Sequence, residues 1–345
     1  MNIRSSITDS SPPVTRHSSR LLIVGCNGML AQAIASSAPS GYAITAVDLP
    51  EFNITDQAMV QSVVEATQTE IIINCAAYTN VDGCETEQEL ANQVNGIAVG
   101  YLAEAAKRVN ATLVHISTDY VFDGEKKTPY AEEDQTNPQS VYGSSKLLGE
   151  QAILSSGLEK YFIIRTSWLY GPGGNNFVET ILRLAGEREE LRIISDQVGS
   201  PTYTGDLADA VFALLGKCCD QEAVMKKALQ IGRDEDVVTG PSSPVTDLAS
   251  RDSSIYGSYH FSNGGQCSWY DFAVEIVDQA RKNGVLLKLG KILPINTEDY
   301  PLPAERPKYS VFSKEKYLKA TGQKIPAWEE SLAKYFQCGD RIPFV

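Results

Sequence analysis

The chain has 345 residues, 43% of them hydrophobic and 21% charged, the proportions of a protein that buries a large core in one large or two modest domains. Its formal net charge of −13 argues against a nucleic-acid surface, which needs a basic stripe, but leaves room for a nucleotide held by one arginine or one helix N-terminus. No apolar stretch reaches the length of a membrane span, and seven cysteines without a Cys-x-x-Cys pair read as reduced thiols of a cytoplasmic protein, with neither a disulfide frame nor a zinc site.

Residues 1–19 are rich in Ser, Thr and Pro and lack the apolar centre of a secretory signal. A disordered tail is expected there. From Arg20 onward short apolar runs alternate with helical patterns. Leu21-Leu22-Ile23-Val24, Ala43-Ile44-Thr45-Ala46-Val47, Ile71-Ile72-Ile73-Asn74-Cys75, Thr112-Leu113-Val114-His115-Ile116-Ser117 and Tyr161-Phe162-Ile163-Ile164-Arg165 are strand candidates. Helix-like segments lie between them at roughly 28–38, 56–68, 86–109 and 140–156. Apolar strands that are continuous rather than alternating imply a sheet covered on both faces. The expected fold is therefore α/β, a doubly wound parallel sheet of Rossmann type. His115 and His260 fall in strand-like runs, where a packed histidine is expected rather than a ligand.

After Trp168 the rhythm loosens. Residues 217–257, with Gly240-Pro241-Ser242-Ser243-Pro244, read as an inserted surface loop. Phe272, Ala273, Ile276, Val277 and Ala280 mark an amphipathic helix, and the Pro-rich segment 294–307 reads as an irregular connection. These pieces suit a smaller C-terminal lobe that closes over the first.

In such folds ligands bind at the carboxyl ends of the strands, and the motifs sit there. Gly25-Cys26-Asn27-Gly28-Met29-Leu30-Ala31 follows the first strand and opens the first helix. It fits a dinucleotide fingerprint in which two glycines allow a tight turn and close approach of a pyrophosphate, with Ala in the third place. Asp48 ends the second strand, where a carboxylate accepts from ribose hydroxyls and repels a 2′-phosphate; the other reading is a turn aspartate before Pro50. Asn74-Cys75-Ala76-Ala77-Tyr78-Thr79 closes the third strand with small side chains that allow close approach of a ligand or merely tight packing. Thr118, at the end of the fourth strand, offers a hydroxyl to a substrate carbonyl or to backbone groups. Tyr142 and Lys146, four residues apart in one helical segment, share a face. A cation there is expected to lower the phenol's pKa toward a value useful in proton transfer.

In this order the glycine loop, Asn-x-Ala-Ala, Ser117-Thr118-Asp119-Tyr120-Val121-Phe122 and Tyr-x-x-x-Lys resemble the extended short-chain dehydrogenase/reductase family. Arg165–Gly171, Gly174-Asn175-Asn176-Phe177, Asp196–Thr202 and Arg306-Pro307-x-x-Ser310 narrow the resemblance to the dTDP-4-dehydrorhamnose reductases, over about residues 20–335. The resemblance implies reduction of the C4 keto group of a dTDP-4-keto sugar by NADPH or NADH. Tyr142 would be the proton donor, Lys146 would lower its pKa and hold the nicotinamide ribose, and Thr118 would tune both phenol and carbonyl. Asp119 and Trp168 would contact the sugar nucleotide, Trp168 through its flat face. Gly25, Gly28, Met29, Leu30, Asp48, Asn53, Ile54, Ala77, Tyr78 and Thr79 take the cofactor-binding places. The implied division is a dinucleotide-binding domain over 20–168, continued by parts of 202–262, and a substrate-binding lobe over 169–201 and 263–335.

Asn53 stands where many members carry Asp, which leaves the choice of cofactor open. Ala33 stands where some carry a Glu implicated in a magnesium-linked dimer, so no metal is expected, and a monomer or weak homodimer is. Two rivals remain. One is an epimerase or 4,6-dehydratase on the same scaffold, although Asp119 is followed by Tyr120 rather than by the second acid a dehydratase uses. The other is a non-catalytic regulatory subunit resembling the methionine adenosyltransferase β-subunit, for which the 217–257 segment would serve a partner.

Overall fold

Six parallel strands form the central sheet: β1 (Ser19–Val24), β2 (Tyr42–Val47), β3 (Ile71–Asn74), β4 (Thr112–Thr118), β5 (Tyr161–Thr166) and β6 (Gly257–His260). Their spatial order is β6-β5-β4-β3-β1-β2, with every neighbouring pair parallel. The computed structural model describes residues 18–218 and 255–337. Most of the expected tail, and residues 219–254 of the expected insertion, lie outside the described residues. At the margins the structure differs from the sequence reading. Ser19 already pairs in β1, Lys217 and Cys218 lie in a helix that is described from 204 to 218, and Gly257 opens β6.

Burial explains the parallel arrangement. Leu21 and Ile23 point into one core with Ile34, Leu207 and Val211, while Leu22 and Val24 point into another with Val60, Val99 and Leu102. Alternate residues of one strand thus enter separate apolar layers, and both faces of the sheet need helices. A third core joins Tyr170, Ile181, Phe272, Ile276, Leu332 and Phe336 beyond the carboxyl edge of the sheet. The amphipathic reading of Phe272 to Ala280 corresponds to the helix Trp269–Lys282, started by a capping box in which Ser268 and Asp271 exchange hydrogen bonds. Residues 294–307 contain the end of a short strand, Lys291–Ile295, and one 3-10 turn, Thr297–Asp299.

The pattern over 86–109 is not one helix. It divides into Gln88–Asn92, a π-helical turn Gln93–Ile97 and Ala98–Val109. Both strand histidines are fully buried. The order of the chain reverses between β1 and β3, and a crevice opens above their carboxyl ends, the place where doubly wound sheets hold ligands. Among the described residues no helix is long and apolar enough to cross a membrane.

Candidate active site

Gly25 leaves β1 with φ of +81°, and a Cβ built there would lie 2.6 Å from the Ala76 amide nitrogen and 2.7 Å from its Cα. Only glycine permits both the left-handed turn and this contact with the loop after β3. Gly28 follows as the N-cap of the helix Met29–Ser37 and supplies no side chain to its free N–H groups, so they face the crevice unoccupied by a cap, as an anion at a helix N-terminus requires. A turn that a Cβ would fill, followed by an uncapped helix, fits a dinucleotide pyrophosphate.

Asp48 is tied to this turn. Its Oδ2 accepts from Asn27 N at 2.9 Å and its Oδ1 from Leu49 N at 2.8 Å. The carboxylate is thereby held at the end of β2 facing the glycine loop, with lone pairs left for ribose hydroxyls. Asp48→Ala is expected to shift the ratio of kcat/KM values toward NADPH over NADH by about tenfold, the worth of one hydrogen bond to a charged group. Steady-state rates with the two cofactors measure that ratio.

The other expected cofactor residues differ in what they offer. Asn53 Oδ1 is engaged by Thr55 N at 3.0 Å and Thr55 Oγ1 at 2.8 Å in a local turn. Leu30 and Ile54 belong to the two cores flanking the sheet, so their side chains face inward and only their backbone is available. The Met29 side chain lies against Gly174, and its sulfur meets Asn176 Nδ2 at 3.3 Å. Ala77 is half-buried and Thr79 exposed on the loop after β3. Tyr78 is clamped by Asn95, which accepts from Tyr78 N at 2.8 Å and donates to Tyr78 O at 3.0 Å. Asn95 also donates to Ser145 Oγ at 3.0 Å, and so ties the loop after β3 to the helix that carries Tyr142. Sequence reading missed Asn95. The π-turn that turns it inward has no periodicity signal, and an asparagine in an otherwise apolar helical run was the one cue.

The helix Val141–Ser155 begins where Ser140 accepts from Gly143 N, which sets Tyr142 in its first turn and Lys146 one turn on. The same helix start is held to the third-strand loop region through Val141 N and Glu85 Oε1 at 2.8 Å. Lys146 is buried, and its Nζ donates to the Ile116 carbonyl at 2.6 Å. Burial pulls it down to about 8, against the charges of Glu150 and Cys75.

The structure reverses the expectation that Lys146 depresses the phenol. Tyr142 is pushed above the usual tyrosine range, first by burial and then by the charge of Asp119, while the Thr118 hydroxyl pulls the other way. The Lys146 ammonium is turned to the Ile116 carbonyl instead. A phenol in this state is protonated at neutral pH, which is the form a proton donor needs.

Thr118 and Asp119 sit at the end of β4, both buried. Thr118 Oγ1 donates to Asp119 Oδ1 at 3.0 Å, so in this arrangement it can accept from the Tyr142 hydroxyl, and donation to a carbonyl requires it to turn from Asp119. Asp119 Oδ2 is buried without a hydrogen-bond partner, a site a ligand hydroxyl would satisfy. Burial raises the Asp119 carboxyl to about 6, opposed by the nearby Ser310 and Thr118 hydroxyls. A raised carboxyl binds its proton more tightly in the folded state than in the unfolded one. Its stabilising contribution is therefore complete below the ordinary aspartate value of 3.8 and is lost as pH rises through about 6. Asp119→Asn should accordingly raise stability at pH 7.5 by on the order of 2–3 kcal/mol while impairing catalysis. At pH 3.5 the gain should vanish, and thermal melts at the two values test it.

Trp168 adopts φ of +49°, a left-handed conformation that is uncommon outside glycine. Its indole stacks on Trp269 with centroids 3.5 Å apart and planes 8° apart, and a Cβ on Gly199 would come within 2.5 Å of the ring. The Trp269 stack occupies one flat face of the indole, and Gly199 packs closely against the same ring. Trp269 had no signal beyond its place at a helix start. Arg306, of the Arg306-Pro307-x-x-Ser310 motif, makes an ion pair: Nη1 and Nη2 reach Asp82 at 3.0 and 2.8 Å. Among the described residues no group of His, Cys, Asp and Glu side chains is arranged to hold a metal.

The Gly25 turn, Asp48 and Thr118 thus lie at the carboxyl ends of β1, β2 and β4, with Tyr142 and Lys146 on the helix packed beside β4. A family model described as the RmlD substrate binding domain matches residues 19–237 and 242–340. A dTDP-4-dehydrorhamnose reductase of Aggregatibacter actinomycetemcomitans is 39% identical over 315 residues, 91% of this chain and 97% of the relative. The chain belongs to the RmlD family of dTDP-4-dehydrorhamnose reductases. Within the reach of this family, the spore coat polysaccharide biosynthesis protein SpsK of Bacillus subtilis (strain 168) is 38% identical over 319 residues, 92% of this chain and 97% of its own. The crystal structure of dTDP-4-dehydrorhamnose reductase from Bacillus anthracis str. Ames in complex with NADP superposes with a TM-score of 0.76 at 39% identity, covering 93% of this chain and 99% of that one. The family placement agrees with the sheet order and with the reading of the motifs as those of a reductase.

Proposed function

We propose that the protein reduces the C4 keto group of dTDP-4-dehydro-L-rhamnose to give dTDP-L-rhamnose. The observation that carries this is the placement of Tyr142 beside Thr118 and Asp119 at the carboxyl end of β4, in a chain of the RmlD family whose first strand ends in the Gly25 turn. A bound NADPH or NADH supplies the hydride. Tyr142 gives its proton to the oxygen as the carbonyl becomes an alkoxide, so that the alcohol forms with one hydride and one proton. Thr118 turns its hydroxyl from Asp119 to donate to the carbonyl oxygen, and Asp119 Oδ2 accepts from a sugar hydroxyl. Lys146 holds the nicotinamide ribose, Asp48 the adenosine ribose, and the N–H groups after Gly28 the diphosphate.

In this reading 20–168 and parts of 202–262 carry the cofactor, and the lobe of 169–201 and 263–335 carries the sugar nucleotide beside Trp168. The protein acts in the cytoplasm as a monomer or weak homodimer. Incubation with dTDP-4-keto-6-deoxysugar and each reduced cofactor tests it: absorbance at the nicotinamide band should fall in step with formation of the rhamno-configured product. A different product stereochemistry would point to a relative on the same scaffold. Tight co-purification with another enzyme, with no cofactor oxidation, would point to the regulatory role.

A further inference from the structure

A buried chain of polar groups runs from Lys146 to the loop that packs on Gly25, and its donors and acceptors fix the tautomer of His115. Asn74 Oδ1 accepts from Ala76 N at 3.1 Å, which turns Asn74 Nδ2 toward His115 Nδ1, also 3.1 Å away. An amide N–H only donates, so Nδ1 is the acceptor and the ring proton lies on Nε2. That nitrogen faces Lys146 Nζ at 3.4 Å. An ammonium has no lone pair, so an N–H on Nε2 opposes charge on Lys146, whereas the neutral amine accepts it. Burial holds the His115 imidazole itself well below its ordinary range, and the ring stays neutral. The other groups that bear on Lys146 are the Ile116 carbonyl on β4, Glu150 on its own helix and Cys75 after β3.

We propose that His115 is a positioning residue that couples the charge of Lys146 to the Asn74–Ala76 backbone beside the glycine turn, so that protonation of Lys146 and affinity for the reduced dinucleotide are linked. The inference rests on the proposed function for the place of the dinucleotide, and needs nothing from the sugar. A charged Lys146 attracts the diphosphate and donates to ribose hydroxyls, so binding is tighter below its titration and weaker above. By reciprocity the bound dinucleotide favours the ammonium by the same factor. His115→Gln replaces the opposing N–H by an amide free to turn its oxygen to the ammonium, and the titration moves upward.

The test is the Kd for NADH, measured between pH 6 and 10 by fluorescence quenching without any sugar nucleotide. Wild type should lose about threefold or more in affinity through an inflection near pH 8, and in His115→Gln the inflection should rise by roughly one unit. A flat wild-type profile, or an unmoved inflection in the folded variant, overturns the coupling. A second measurement does not depend on that variant folding. The sequence has three histidines, and His17→Gln leaves two for 15N-histidine spectra. His260 Nδ1 faces the Tyr130 carbonyl at 3.0 Å and must carry its proton there. The two rings should therefore show opposite tautomers, and two Nδ1–H rings overturn the proposal. An intact pH inflection with no turnover of the keto sugar would sink the functional reading and leave this one standing.

Discussion

Tyr142→Phe is expected to lower kcat for ketone reduction by about 10²–10⁴-fold, the usual worth of a positioned general acid. Binding of NADH should stay within about a factor of two, because the ring remains and only the hydroxyl goes. The geometry makes this variant clean. The Tyr142 ring meets Tyr120 edge-on with centroids 5.4 Å apart, a contact phenylalanine keeps. Thr118 Oγ1 retains its donation to Asp119. The raised phenol sharpens the prediction: its proton is present throughout the neutral range, so wild-type kcat should show no alkaline limb from Tyr142 there. An acidic limb that does appear should track the Asp119 carboxyl near about 6. Substantial turnover by the phenylalanine variant would remove Tyr142 from the chemistry.

The largest loss of stability should follow from Arg165→Met. Glu150, on the catalytic helix, accepts from Arg165 Nη2 at 2.7 Å, from Arg165 Nε at 3.0 Å and from Ser117 Oγ at 2.5 Å. Both charged side chains are almost wholly buried. Arg165 is further held by the Glu132 carbonyl and by stacking over Phe122. Removing the guanidinium leaves a buried carboxylate with the Ser117 hydroxyl and the charge of Lys146 one turn away, a loss of about 3–5 kcal/mol. Replacing both, as in Glu150→Leu with Arg165→Met, leaves no stranded charge and should cost less than either single change. Urea midpoints of the three variants measure the order. A double variant as unstable as the sum of the singles would contradict the account. The network joins the catalytic helix to β4 and β5, so its loss should also loosen Tyr142.

How much of this was legible in the sequence depends on range. The strands were legible because Leu21 to Val24 and Ile71 to Ile73 are apolar without interruption, and only a sheet covered on both faces tolerates that. The Gly25 turn was legible because its two glycines stand at a strand-to-helix junction. The direction of the Tyr142 shift was not. Spacing placed Lys146 on the right face, but where its Nζ points is settled by the Ile116 carbonyl, thirty positions away. Asn95 was hidden by a π-turn, and the cover over Trp168 by a stacking partner one hundred residues further on.

The sequence by itself determined the layers of the fold, the crevice at the strand ends and the residue types that meet there, since each follows from local periodicity and turn chemistry. Only the tertiary structure decided which of those groups are charged, because burial and partners distant in the chain set each pKa. It also decided which faces stay open to a ligand, as the Trp168–Trp269 stack and the Arg306–Asp82 pair illustrate.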